Sequence, residues 1–165
     1  MDDQQLEQIT AQLIDIVEAA GSVILEVYET NFHVQTKSDE SPLTVADLSA
    51  HKVIEAGLQE LTPDIPIISE ESAPPSYAVR SGWQHYWLVD PLDGTKEFIN
   101  RNGEFTVNIA LIVGDTPVFG IVGVPFQGKV YVGNARKGLA YMLLDGERTV
   151  LNAQRRETAE TTITV

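Results

Sequence analysis

Residues 87 to 98 are the most informative stretch of this chain, and they read Trp87-Leu88-Val89-Asp90-Pro91-Leu92-Asp93-Gly94-Thr95-Lys96-Glu97-Phe98. The apolar start of the stretch predicts a buried strand over residues 86–89 that ends at two carboxylates, Asp90 and Asp93. Strand ends are common places for chemistry because the scaffold behind them is rigid. Hard divalent cations prefer oxygen ligands, so this strand end is a candidate metal site.

The residues after the two carboxylates indicate a place for phosphate. Gly94 and Thr95 open a short helical pattern over residues 95–99, whose first N–H groups can receive an anion. Asp-Gly alone is a common turn dipeptide, and Asp-Pro often only ends a strand. The complete string is far less expected by chance, and it predicts metal-assisted phosphoryl chemistry.

Composition narrows the class of protein. The chain has 165 residues, the size of one domain, with a formal net charge of −13 and no cysteine. So acidic a chain is a poor partner for polymeric nucleic acid, whereas bound Mg²⁺ can still attract a small phosphorylated substrate. Without cysteine, disulfides, zinc–thiolate sites and cysteine nucleophiles are excluded.

The chain is expected in the cytoplasm, with the inner face of the membrane left open. Its first five residues are polar and acidic, unlike a signal peptide, and we expect no apolar segment of membrane-spanning length.

The periodicity of apolar residues predicts an α+β fold. Helical spacing over residues 6–28 predicts a first amphipathic helix, and Thr44 with Asp47 forms a capping-box pattern for a second. Alternating apolar residues then predict strands over residues 107–113, 118–124, 129–133 and 139–144, with a hairpin turn at Asp145-Gly146. Two helices packed on a mostly antiparallel sheet make a layered domain.

Two segments carry separate predictions. The polar tract of residues 31–42, centred on Lys37, is predicted to be a loop that can cover a site. Residues 1–153 are predicted to form an N-terminal metal- and phosphate-binding domain. Residues 154–165 are predicted to be a linker and the first strand of a second α/β domain whose remainder is missing.

Further carboxylates are candidates for the same site. Glu70 follows an apolar strand at residues 65–68, so if the two strands are neighbours, Glu70, Asp90 and Asp93 come together. Carboxylates that lie close together repel one another and raise one another's pKa, and a bound divalent cation removes this repulsion. A solvated loop is the plain alternative for Glu70. Asp47 is equally well explained by capping alone.

Other candidate groups are weaker. Thr95 is a candidate to orient a water molecule, with a plain first-turn residue as the alternative. The three histidines, His33, His51 and His85, share no spacing and are interpreted as structural. Ser69, Ser72 and Ser76 have no adjacent histidine base, and no glycine-rich NTP-binding loop is present.

The hexapeptide at residues 90–95 resembles the signature of the inositol monophosphatase superfamily, which comprises magnesium-dependent, lithium-sensitive phosphatases. Ser69-Glu70-Glu71 is similar to that family's metal-binding glutamate pair. The strings at residues 37–47 and 96–110 resemble the bacterial 3'(2'),5'-bisphosphate nucleotidase branch. Enzymes of that branch remove the 3'-phosphate of 3'-phosphoadenosine 5'-phosphate to give AMP and serve sulfur assimilation.

The resemblance implies a set of metal ligands. Glu70, Asp90 and the backbone carbonyl of Leu92 would hold a first Mg²⁺. Asp90 would bridge to a second Mg²⁺, which Asp93 also holds.

The resemblance also implies roles in catalysis and substrate binding. Glu70 and Thr95 would position the attacking water, with Asp47 supporting Thr95. Substrate phosphate would be bound by Glu70, Leu92, Asp93, Gly94 and Thr95.

One departure from the family leaves alternatives open. Family members carry a Trp-Asp-x-Ala-Ala-like motif that completes the second metal site, whereas neither Trp83 nor Trp87 precedes an aspartate. The chain is therefore expected to be an N-terminal portion. The alternatives are an inositol monophosphatase or fructose-1,6-bisphosphatase-like sibling, a catalytically silent fragment, and a homo-oligomer paired through an exposed terminal strand.

Overall fold

The computed structural model describes residues 1–30, 34–36 and 42–152. Within the predicted loop at residues 31–42, residues 34–36 and 42 belong to short strands, so the prediction of an irregular tract was wrong there. Its centre at Lys37, His33 and the predicted second-domain segment at 154–165 lie outside the described residues.

The described elements comprise two long helices, a two-stranded sheet and a seven-stranded sheet. They are α1 (Asp3–Tyr28), β1 (Val34–Thr36), β2 (Pro42–Thr44), α2 (Val45–Leu61), β3 (Ile67–Ser69), α3 (Tyr77–Arg80), β4 (His85–Asp93), α4 (Thr95–Ile99), β5 (Thr106–Val113), β6 (Thr116–Val124), a 3₁₀ turn (Pro125–Gln127), β7 (Lys129–Asn134), β8 (Leu139–Leu144) and β9 (Glu147–Val150). Strands β3 to β9 form one sheet in sequence order, and β3–β4 is its parallel pair. The other pairs are antiparallel, which confirms the α+β prediction.

Helix α1 begins at a capping box and packs one face inward. Asp2 and Gln5 exchange side-chain and backbone hydrogen bonds of 2.8 and 2.9 Å at its start. By length and composition, α1 is also apolar enough to cross a membrane. The expectation that no apolar segment has membrane-spanning length was therefore wrong. The buried stripe packs on α2 and on strands β5 to β7. It consists of Leu6, Leu13, Val17, Ala20, Gly21, Ile24 and Tyr28.

Helix α2 begins as predicted. The Thr44 hydroxyl accepts a hydrogen bond from the Ala46 N–H, and the Asp47 carboxylate accepts one from the Thr44 N–H. The helix ends at Leu61, directly before Thr62-Pro63-Asp64. The cap therefore fixes where α2 starts beneath the sheet.

Strand β4 is longer than the sequence predicted. It continues through Asp90 to Asp93 rather than ending at residue 89. Asp90 pairs with Asn108 and Asp93 with Thr106, so β4 carries one extra residue between those pairs. This is a β-bulge, which accommodates the proline that cannot donate to the ladder. The two aspartates therefore lie on a bulged strand end, not in a loop.

Smaller differences involve short elements. Strand β3 begins at Ile67 rather than residue 65, because Pro66 precedes it. The polar loop after it contains the single-turn helix α3, and the β1–β2 hairpin has no clear sequence signal. The predicted hairpin turn at Asp145-Gly146 is confirmed, with φ of 50° and 78°.

An aromatic cluster holds α4 against α1. The rings of Tyr28, Phe98 and Phe105 lie 5.1–5.3 Å apart, centroid to centroid. Gly94 precedes α4 with φ of 89°, and a Cβ there would lie 2.8 Å from the Glu104 carbonyl oxygen. Glycine is therefore required where the chain turns from β4 into α4.

The Thr62→Val substitution should destabilise the fold. The Trp87 indole N–H donates to the Thr62 hydroxyl at 2.9 Å, and both residues are buried. Valine would leave this N–H unpaired, so the free energy of unfolding should fall by about 1–3 kcal/mol in urea denaturation. The exposed Thr116→Val serves as control and should change it by less than about 0.5 kcal/mol. Equal effects of the two variants would contradict this account.

Candidate metal and phosphate site

The parallel pairing of β3 with β4 brings Glu70 beside Asp90. Ser69 lies opposite Val89, and the Glu70 N–H donates to the Val89 carbonyl at 3.1 Å. Glu70 directly follows Ser69, and Asp90 directly follows Val89, so the two carboxylates come next to each other. The predicted neighbourhood of the two strand ends is thus confirmed.

The carboxyl group of Asp90 is in an unfavourable environment for a charge. Burial, followed by the nearby charges of Glu70 and Asp93, raises the pKa of Asp90 to about 7. A hydrogen bond to the Glu70 side chain acts in the same direction, and one from the Leu92 backbone opposes it. Because two carboxyl groups can share a hydrogen bond only when one is protonated, a proton on Asp90 completes this bond at pH values below about 7.

The environment of Asp90 fits a bound cation. Its Oδ1 atom is buried and has no hydrogen-bond partner among the described residues. A divalent cation would satisfy that oxygen and displace the shared proton. In the described part of the chain, no three His, Asp or Glu side chains already converge as closely as metal ligands do. The carboxylates are neighbours, and they do not form a preassembled cage.

Asp93 lies at the exposed end of β4. The Asn108 amide N–H donates to its Oδ2 at 3.3 Å, and Asn108 also pairs with Asp90 across the sheet. Sequence reasoning missed Asn108 as a member of this site. The signal was its polar side chain within the otherwise apolar alternation of β5.

Thr95 links the strand end to α2. Its hydroxyl lies 3.3 Å from both Asp47 Oδ1 and the Leu92 carbonyl oxygen. The other Asp47 oxygen accepts from the Thr44 hydroxyl at 2.6 Å, and Asp47 is 1% exposed. Capping and support of Thr95 are compatible roles for Asp47, because its carboxylate makes both contacts.

Ser69 and His51 form a contact that the sequence did not indicate. The His51 Nδ1 atom lies 2.9 Å from the Ser69 hydroxyl oxygen, so the interpretation that no histidine adjoins this serine was wrong. The two residues are 18 positions apart, and the fold alone brings them together. Ser69 is 3% exposed, so the contact does not make it an accessible nucleophile.

The carboxylates border an open concave region. It has a volume of about 590 Å³ and extends from Glu70 and Asp90 across the sheet face that carries Leu88, Ala110 and Val122. A ligand could therefore approach the strand ends from this side of the sheet.

Comparisons with known proteins show the family of this chain. The model of the inositol monophosphatase family matches residues 5–163. The chain is 52% identical over 132 residues to the 3'(2'),5'-bisphosphate nucleotidase CysQ of Escherichia coli K12, covering 79% of this chain and 52% of that protein. For the protein of the same name from Salmonella typhimurium the identity is 54% over 122 residues, covering 73% and 49%. The chain thus spans about half the length of the curated relatives it matches.

Solved structures share the fold. The crystal structure of CysQ from Bacteroides thetaiotaomicron, a bacterial member of the inositol monophosphatase family, is 43% identical with a TM-score of 0.67, covering 92% of this chain and 52% of that one. The extragenic suppressor protein suhB from Bartonella henselae is 26% identical with a TM-score of 0.75, covering 90% and 56%. The arrangement of two helices on a mostly antiparallel sheet, the strand-end carboxylates and the match over residues 5–163 together mean that this chain belongs to the inositol monophosphatase family.

Proposed function

We propose that this chain carries the metal- and phosphate-binding part of a Mg²⁺-dependent 3'(2'),5'-bisphosphate nucleotidase. The reaction hydrolyses the 3'-phosphoester of 3'-phosphoadenosine 5'-phosphate with one water, giving AMP and inorganic phosphate. The observation that carries the proposal is the buried Asp90 Oδ1 atom beside Glu70, which has no hydrogen-bond partner among the described residues and which a cation would satisfy. The 52% identity to proteins of that name supports the substrate class.

The ligands would come from the two strand ends. Glu70, Asp90 and the Leu92 carbonyl would hold one ion, and Asp90 and Asp93 a second. When bound, the two ions lower the pKa of the attacking water and stabilise the leaving oxygen. Asn108, through its hydrogen bond to Asp93, would orient that carboxylate.

Thr95 and Asp47 would orient the water. The Thr95 hydroxyl has one proton and two acceptors at 3.3 Å, the Asp47 carboxylate and the Leu92 carbonyl. With the Leu92 carbonyl occupied as a metal ligand, the Thr95 hydroxyl would donate to Asp47. The Thr95 oxygen would then accept a hydrogen bond from the attacking water, while Glu70 would accept a hydrogen bond from the other O–H of that water.

The phosphate would lie at the turn from β4 into α4. The N–H groups of Gly94 and Thr95 begin a helix, where they have no intrahelical acceptor. Gly94 lets the backbone turn closely past Glu104 and Phe105, so its N–H can face the strand end without a side chain in the way. Glu70, Leu92 and Asp93 would contact the substrate from the opposite side.

The wider setting follows from this substrate. The substrate is small and phosphorylated, and polymeric nucleic acid is not expected to bind. The enzyme would act in the cytoplasm, in sulfur assimilation. Inhibition by lithium is part of the same proposal.

Phosphate release from 3'-phosphoadenosine 5'-phosphate tests the proposal. The assay uses this chain and a version extended to the length of the relatives, each with Mg²⁺ and with added Li⁺. We expect Mg²⁺-dependent release that Li⁺ suppresses, with Asp90→Asn lowering kcat/KM at least about 100-fold, since even partners of metal ligands cost 10–100-fold. Asp115→Asn, in an exposed turn, is the matched control and should retain activity.

Two results of this assay would contradict the proposal. One is release that is unaffected by Asp90→Asn. The other is a preference for inositol phosphate or fructose 1,6-bisphosphate, which would assign the site to a sibling phosphatase. Release only by the extended version would identify this chain as a silent portion.

The metal-free chain should lose stability as the pH rises. The folded-state pKa of Asp90 is raised to about 7 from 3.8, so the folded state retains a proton that the unfolded state releases between these values. The free energy of unfolding should therefore fall from about pH 4 to pH 7 and then level off. With allowance for solvent screening of a partly exposed group, the fall is about 1–2 kcal/mol.

Urea denaturation in EDTA at pH 5 and pH 8 measures this fall. Asp90→Asn should reduce it, whereas Asp115→Asn should leave it unchanged. Saturating Mg²⁺ at pH 8 should restore the lost stability in the unsubstituted chain and in Asp115→Asn, but not in Asp90→Asn. An unchanged pH dependence in Asp90→Asn would contradict the assignment.

Removing the Thr95 hydroxyl should slow catalysis more than it weakens metal binding. Thr95→Val keeps the shape of the side chain but cannot accept a hydrogen bond from the attacking water, so kcat should fall by about 10²-fold or more in the phosphate-release assay. Thr95→Ser keeps the hydroxyl and should retain most of the activity. Equal losses in both variants would argue for a packing role instead.

A further inference from the structure

We infer that His51 is a positioning residue, which fixes Ser69 and thereby sets the place of Glu70 at the metal site. The inference rests on the proposed function, and it adds a residue that the sequence had suggested to be merely structural. His51 contacts neither substrate nor metal in this account. It acts through the backbone that carries Glu70.

One face of α2 reaches both strand ends. Asp47, His51 and Glu55 follow one another at four-residue spacing, so they line the same side of the helix. Asp47 contacts Thr95 just beyond the end of β4, and His51 contacts Ser69 at the end of β3. A single rigid helix therefore holds the two segments that carry the candidate ligands.

The two ring nitrogens of His51 face different partners. Its Nε2 atom lies 3.7 Å from the Glu55 carboxylate, which favours the N–H at Nε2. The Nδ1 atom is then an acceptor for the Ser69 hydroxyl proton at 2.9 Å. The Ser69 oxygen in turn accepts from the Glu71 N–H at 3.4 Å. The chain of bonds thus runs from the helix into the residues on either side of Glu70.

The backbone of Glu70 is held from three directions. Ser69 is anchored to His51, the Glu71 N–H is anchored to the Ser69 hydroxyl, and the Glu70 N–H is anchored to β4. Ser72 adds two bonds to the Ser69 carbonyl, at 3.2 and 3.3 Å. Since Ser69 is 3% exposed, water is a poor substitute for His51 as its partner. Loss of the histidine should loosen the turn that presents the Glu70 carboxylate.

The plain alternative is a buried hydrogen bond that only joins α2 to β3. The two roles differ in what they change. A purely structural bond affects the free energy of unfolding alone, whereas a positioning bond also weakens the affinity of the folded chain for a divalent cation.

Titration calorimetry with Mn²⁺, a divalent ion that oxygen ligands suit, tests the inference on this chain. We expect His51→Leu to raise the Mn²⁺ dissociation constant about tenfold, which is the lower end of the range for partners of metal ligands. His51→Asn retains a hydrogen-bonding atom near the place of Nδ1 and should restore most of the affinity. His85→Leu, at the opposite end of β4, is the matched control and should bind like the unsubstituted chain. Nitrogen NMR of His51 should show the proton on Nε2.

The outcomes distinguish failure of the positioning role of His51 from failure of the proposed metal site. Failure of the unsubstituted chain to bind Mn²⁺ would overturn the proposed metal site and this inference with it. Normal Mn²⁺ binding by His51→Leu would overturn the positioning role alone, even where urea denaturation shows lost stability. If His51→Leu does not fold, Ser69→Ala decides, because it removes only the hydroxyl. Unchanged affinity in that variant would also overturn the inference.

Discussion

The parallel pairing of β3 with β4 is the constraint on which the site depends, because it brings two carboxyl groups that repel each other to the same edge of the sheet. The Glu70 N–H bonds to the Val89 carbonyl, so the next residues along the two strands, Glu70 and Asp90, must be neighbours. Burial and mutual repulsion then hold the pKa of Asp90 near 7. A protein that needed only stability would gain from apolar residues here, and the arrangement makes physical sense when a cation completes it.

The surrounding elements hold this edge in place. Helix α2 supplies Asp47 to Thr95 and His51 to Ser69, while the aromatic cluster of Tyr28, Phe98 and Phe105 fixes α4 from the far side. The β-bulge between Asp90 and Asp93 turns the strand end, and Gly94 allows the close passage into α4. The candidate ligands thus lie on strand β4 or directly after strand β3, and their place next to rigid elements favours a defined metal geometry over a flexible one.

Much of this could be predicted from the sequence where the signal is local. The capping box at Thr44 and Asp47, the helix over residues 95–99 and the turn at Asp145-Gly146 each depend on residues a few positions apart. The meeting of Glu70 with Asp90 was predictable only on the condition that β3 and β4 are neighbours. That condition is a property of the fold, and it is satisfied.

The features that sequence reasoning missed depend on distant residues. Strand β4 extends to Asp93 because β5 offers it a partner, and Asn108 joins the site through the same pairing. The His51–Ser69 contact spans 18 positions and has no local signature beyond the spacing along α2. The apolar content of α1 was underestimated because its polar residues form one stripe of a long helix.

Proton release on Mg²⁺ binding tests the central claim most directly, since the claim is that a cation displaces the proton held by Glu70 and Asp90. Calorimetric titration of this chain at about pH 6.5 in buffers of different ionisation enthalpy measures the protons released per ion bound. The account predicts binding heats that vary with the buffer and report release of a large fraction of one proton, with the release lost in Asp90→Asn. Binding heats that are the same in every buffer, or no binding at all, would contradict it.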